Sequence, residues 1–84
     1  MSDKVKQVMS ALDMLTEDTS VPRNIRKGAT DAKSKLAGKD PIDVRAMGAM
    51  SILDDLANDP NIPMHGRTLI YGIMSQLEII SQSR

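Results

Sequence analysis

Cysteine, tryptophan and phenylalanine are absent from this 84-residue chain. Without thiols there are no disulfides, no thiolate nucleophiles and no cysteine-ligated zinc or iron–sulfur centres. Tyr71 is the sole aromatic residue, whereas the stacking platforms that hold single-stranded nucleic acid use several. Long apolar runs are missing too. Nothing approaches the ~18 residues of a membrane span, and Met1-Ser2-Asp3-Lys4 does not open like a secretion signal. A cytoplasmic protein without membrane contact is the expectation. Net charge is absent as well, because 11 basic and 11 acidic side chains cancel, so no overall field draws the chain to a polyanion.

What is present is an aliphatic, methionine-rich helical pattern. The length suits one domain over residues 1–84, with only about 60–65% of the unfolded surface to bury. Val5, Val8, Met9, Leu12 and Leu15 recur at helical spacing and predict a first helix over 3–17, with Ser2 as its cap. A second helix is expected from Ser20 or Val21, with Pro22 in its first turn and Val21, Ile25, Ala29, Ala32 and Leu36 as a narrow apolar stripe. Gly38 fits the left-handed residue that ends a helix. Asp40 as cap and Pro41 as first helical residue then restart the chain. The third helix should reach about Ala57. Its Val44, Ala46, Met47, Ala49, Met50, Ile52, Leu53 and Leu56 wrap much of the circumference, which predicts the most buried helix of the set. After Asn58-Asp59-Pro60-Asn61 a fourth helix is expected from Ile62 to about Ile80. Connections this short make successive helices antiparallel. The fold expected is therefore all-α, an up-and-down four-helix bundle.

A shift of forty-one residues superposes the two halves without a gap. Met9, Ser10, Leu12, Asp13, Leu15, Asp18, Pro22, Arg26, Ser34 and Leu36 fall on Met50, Ser51, Leu53, Asp54, Leu56, Asp59, Pro63, Arg67, Ser75 and Leu77. The bundle is thus read as two duplicated helical hairpins, about 3–37 and about 41–82. A HEAT-like repeat pair is the alternative, since Asp43-Val44-Arg45 resembles the Asp-x-Val-Arg signature of such repeats and the period is theirs. Arg26 and Arg67 stand early in their helices, where the dipole disfavours positive charge. Each is expected to pair with the preceding repeated acid, Asp18 and Asp59, in a structural ion pair worth roughly 0–1 kcal/mol.

Val21-Pro22-Arg23-Asn24-Ile25-Arg26, Ser51-Ile52-Leu53-Asp54 and Asn58-Asp59-Pro60-Asn61-Ile62-Pro63 resemble stretches of a small uncharacterised archaeal protein family. Arg67-Thr68-Leu69-Ile70 and Ser75-Gln76-Leu77-Glu78 extend the resemblance to nearly the whole chain. It implies an up-and-down four-helix fold in an archaeal cytosol, and no activity. Gly28, Gly48, Gly66 and Gly72 fall inside predicted helices, each costing up to about 1 kcal/mol against alanine unless a close contact needs the gap.

Chemistry-bearing constellations are lacking. His65 has no partner at metal-ligand spacing, Asp54 and Asp55 diverge by about 100° on their helix, and no nucleophile elbow or phosphate loop occurs. No catalytic, metal or cofactor residue is expected, and the chain reads as a non-enzymatic interaction or assembly module. Two features point to partners. Arg23, Lys27 and Lys33 make the second helix basic against the acidic third. That suggests weak nucleic-acid binding as an alternative, although Lys27, Asp31 and Lys35 also form an i, i+4 ladder. Tyr71 and Ile79 lie off the apolar stripe of the fourth helix and offer a second face for a protein partner or a second copy.

Overall fold

The computed structural model describes residues 3–82. Over these the chain forms four helices and no strand: α1 (Asp3–Glu17), α2 (Arg23–Leu36), α3 (Ile42–Ala57) and α4 (Met64–Gln82). The expected cap Ser2 lies outside the described residues. α1 packs on α2 and α4, and α3 packs on the same two, while the diagonal pairs do not meet. The connections 18–22, 37–41 and 58–63 are too short for anything but reversal of direction, so the helices alternate around a square. A stacked repeat pair would lay α1 on α3 and α2 on α4. The observed pairing is the other one, closed by α1 against α4. The α1–α2 and α3–α4 connections consequently share one end of a bundle measuring 35 × 18 × 18 Å.

Proline sets three helix starts. The carbonyls of Pro22, Pro41 and Pro63 accept the amides of Arg26, Arg45 and Arg67 at 3.2, 3.0 and 3.0 Å. Pro22 and Pro41 themselves have extended ψ angles, 154° and 148°. They are therefore the half-in residues before the helix and not its first turn, a role in which the lost N–H is harmless. This moves the start of α2 to Arg23 and that of α4 to Met64, later than the apolar pattern suggested, and replaces Asp40 as the cap of α3. Gly38 is also corrected: no glycine has a positive φ among the described residues. α2 instead ends on Ala37 in right-handed geometry, its amide donating to the Lys33 carbonyl and that of Gly38 to the Lys35 carbonyl.

The core is wholly apolar, with no polar or charged side chain buried among the described residues. Leu12, Leu15, Ile25, Leu36, Leu53, Ile70 and Leu77 are its largest fully enclosed members. The α2 stripe is buried as predicted from Val21 to Leu36. Its small residues allow a close approach to α3, where a Cβ on Gly28 would stand 2.5 Å from Leu56 Cδ2. The expectation that α3 is the most buried helix fails at two positions. Val44 is 46% and Met47 61% exposed, because a helix at a corner of a square touches only two neighbours and its outer arc faces water. What α3 does bury is mostly alanine: Ala46, Ala49 and Ala57 beside Leu53 and Leu56.

Candidate functional site

The end of the bundle that holds two connections carries the densest polar chemistry. The Asp18 carboxylate folds back on its own connection, accepting the Ser20 amide at 2.9 Å and the Ser20 hydroxyl at 2.5 Å through Oδ1. Its Oδ2 lies 2.9 Å from His65 Nε2, on the first turn of α4. The Ser20 hydroxyl, its backbone amide and then His65 hold the Asp18 carboxyl at about 2, below its usual 3.8. Across the same end, Asp59 accepts the Asn61 amide at 2.8 Å and the Asn24 side-chain amide at 2.7 Å. Asn61 first, and Asn24 second, lower its pKa too. Each connection is thus closed by an aspartate turn, and each aspartate reaches the opposite hairpin.

Serine, histidine and aspartate together invite a catalytic reading, which the geometry opposes. A relay needs the hydroxyl on one imidazole nitrogen and the carboxylate on the other. Here both Ser20 Oγ, at 3.0 Å, and Asp18 Oδ2 meet the same Nε2. Ser20 also donates directly to Asp18, and all the participating hydrogen bonds are exposed. The cluster fastens; it does not activate. Among the described residues no group of three histidines or acids could hold a metal ion.

The expected ion pairs Asp18–Arg26 and Asp59–Arg67 are not formed, because the carboxylates are already engaged as above. Arg67 turns instead to the end of α3, donating to the Ala57 carbonyl at 3.1 Å and the Asp59 carbonyl at 3.4 Å. The Ala57 carbonyl, at the end of α3, carries the negative end of the helix dipole, a favourable seat for a guanidinium. Arg26 Nε is enclosed without a hydrogen-bond partner. Sequence reasoning missed His65 and Asn24, although the signal was available: forty-one residues separate them, and each occupies the place facing the other hairpin's aspartate.

On the basic helix, Lys33 is paired with Asp13 of α1, and Lys27 lies 3.6 Å from Asp31. Lys35 does not extend that ladder; its aliphatic stem crosses Gly48, where a Cβ would collide with it. Arg23 is exposed. Of the named basic side chains, two therefore already have acidic partners.

The α1–α4 seam leaves a groove of about 340 Å³. Gln7 and Ala11 form one wall and Thr68, Leu69, Gly72 and Gln76 the other, over a floor of Val8 and Ile73. None of these side chains ionises. A Cβ at Gly72 would have nothing within 4 Å. Elsewhere on α4, Met64, Tyr71 and Ile79 are exposed, by 75%, 52% and 42%, so the two side chains read as lying off the stripe do so.

No described helix is long and apolar enough to cross a membrane. In sequence, a UPF0147 protein of Thermoplasma volcanium is 49% identical, over 92% of this chain and 88% of its own length. One from Archaeoglobus fulgidus is 44% identical, over 92% and 88%. Two solved structures superpose closely. One is a Thermoplasma acidophilum protein from the uncharacterised family UPF0147, with a TM-score of 0.91 at 46% identity over 94% of both chains. The other is the unknown-function protein MMP1188, with a TM-score of 0.91 at 48% identity over 93% of this chain and 90% of that one. The family model described as "Uncharacterised protein family (UPF0147)", a description that carries no activity, matches residues 1–80, and the chain belongs to that family.

Proposed function

We propose that this protein is a non-enzymatic interaction module of the cytoplasm, docking an apolar helix of a partner protein in the α1–α4 groove. The observation that carries the reading is Gly72. A glycine inside a helix costs about 1 kcal/mol against alanine, and nothing in the chain itself occupies the space of the missing side chain. A gap that no internal neighbour needs is room for an external one. The uncharged lining suits an apolar helix, and exposed Ile79, two turns beyond Gly72 on the same side of α4, extends the surface. The basic α2 is left out of the proposal, since Lys27 and Lys33 have acidic partners within the chain.

The two hairpins are read as copies of one unit. Supporting this, the forty-one-residue shift carries Asp18 with His65 onto Asp59 with Asn24. It also carries the Ser20 amide onto the Asn61 amide at the same carboxylate position.

Gly72→Leu tests the docking reading, because it fills the groove from an exposed helix position while leaving the core intact. A partner captured from native lysate by the unaltered protein should be lost with Gly72→Leu and with Ile79→Ser, both variants remaining folded. Equal capture by Gly72→Leu would refute the groove as the docking site.

A further inference from the structure

The interface between the two hairpins has the form that joins two separate molecules. In a two-fold interface residue i meets j while j meets i. Here the 18 position of one hairpin meets the 65 position of the other, and Asn24 meets Asp59 in return. The larger contacts obey the same exchange, with α1 on α4 and α2 on α3. Every core residue lies in a hairpin or its end connection, and none lies in 37–41, whose five residues are all exposed. That segment ends in Pro41, and a residue before proline favours extended backbone, so an opened connection is compatible with its chemistry. One side chain fastens the closed form. Arg45 donates from Nε to the Asp40 carbonyl and from Nη1 to the Leu36 carbonyl, each at 2.7 Å.

We propose that the inter-hairpin interface also accepts the hairpin of a second copy of this chain, with 37–41 as the hinge and Arg45 as the clamp that keeps each chain closed on itself. Both forms bury the same core, so the choice between them rests on the hinge and on protein concentration. The α1–α4 groove lies over one seam of this interface, so in an exchanged pair its two walls come from different copies. The proposal rests on the reading of the hairpins as copies, and the test separates the two.

The absence of native cysteine makes engineered thiols unambiguous. An Asn24→Cys chain is mixed with an Asp59→Cys chain, unfolded, refolded together at high concentration and oxidised. Exchange gives a disulfide-linked heterodimer in excess of either homodimer. The bond from Arg45 to Leu36 re-forms between copies when α2 of one chain packs on α3 of the other. An Arg45→Ala background should therefore raise the heterodimer yield about tenfold, the order expected when the one charge-assisted bond to the hinge carbonyl of Asp40 is lost from the closed form alone. Deleting Gly38 and Lys39 should turn the chain into a dimer by light scattering. A monomeric deletion variant, together with no excess heterodimer in the Arg45→Ala background, overturns the proposal. If the deletion variant fails to fold, the Arg45→Ala result decides alone. A second mixture, Asn24→Cys with Asp18→Cys, forms a linked pair only when hairpin 1 pairs with hairpin 1. Exchange in the first mixture without this product would retain the hinge and reject the equivalence of the hairpins.

Discussion

Glycine to alanine is one chemical change whose sign the structure sets separately at each position. In a helix interior the added methyl gains about 0.8–1.0 kcal/mol from propensity alone. At Gly72 nothing lies within 4 Å of the new Cβ, so the gain stands undiminished. That raises the melting temperature by roughly 4–8 °C per kcal/mol in a domain this small. At Gly28 the same methyl would stand 2.5, 2.8 and 3.0 Å from Leu56 Cδ2, Cδ1 and Cγ. Rotating the isopropyl group cannot clear the branch carbon as well as both methyls. Relief therefore requires α2 and α3 to separate, and overpacking of this kind costs about 1–3 kcal/mol. The sum for Gly28→Ala is a loss of about 0–2 kcal/mol after the propensity gain. Gly48→Ala falls between them, because the group it strikes is the stem of exposed Lys35, which can swing aside. Urea unfolding followed by far-ultraviolet circular dichroism measures all three at a common slope. The order Gly72→Ala, Gly48→Ala, Gly28→Ala from most to least stable is expected. A Gly28→Ala protein as stable as Gly72→Ala would refute the close approach of α2 and α3.

Leu53→Ala should destabilise by about 2–5 kcal/mol, since the removed atoms leave a cavity in a fully enclosed site; a loss below 1 kcal/mol in the same unfolding assay would show that Leu53 is not core. The folded-state pKa of Asp18 is depressed, so its contribution is complete above the ordinary carboxylate value of 3.8 and disappears as pH falls toward about 2. The stability difference between the unaltered protein and Asp18→Ala should accordingly shrink as the pH falls from 3.8 toward about 2, as read from melting temperatures against pH. A constant difference down to pH 2 would remove the carboxylate from the account. The unaltered protein should give no mobility shift with nucleic acid even at low salt, because Lys27 and Lys33 already face Asp31 and Asp13; a salt-dependent shift that is abolished by reversing Arg23, Lys27 and Lys33 together would contradict this.

Much of this architecture was legible because burial follows a 3.6-residue period that the aliphatic residues mark plainly. The α1 boundaries and the α2 stripe were read from that period alone. The starts of α2 and α4 were misplaced because Val21 and Ile62 continue the apolar pattern into the preceding connections, where they are buried without being helical. Apolar periodicity reports where a side chain goes and is silent on the backbone that carries it. The breadth of apolar character on α3 misled for a related reason. Val44 and Met47 are apolar in the sequence, but how much of a helix is covered depends on how many neighbours it has. The pairing of Asp18 with His65 is a contact across 47 residues. Local dipole reasoning pointed Arg26 and Arg67 at nearby carboxylates and could not register that the connections had already claimed them.

Tyr71 gives the molecule an unusual optical character. Being the sole aromatic and half exposed on α4, it leaves the aliphatic core without a chromophore. Near-ultraviolet absorbance and intrinsic emission therefore describe one patch of the surface and are blind to the packing beneath. Unfolding has to be followed through the backbone. In return, a change in tyrosine emission at constant helicity reports an event at the α4 surface itself, giving a label-free signal for its occupancy.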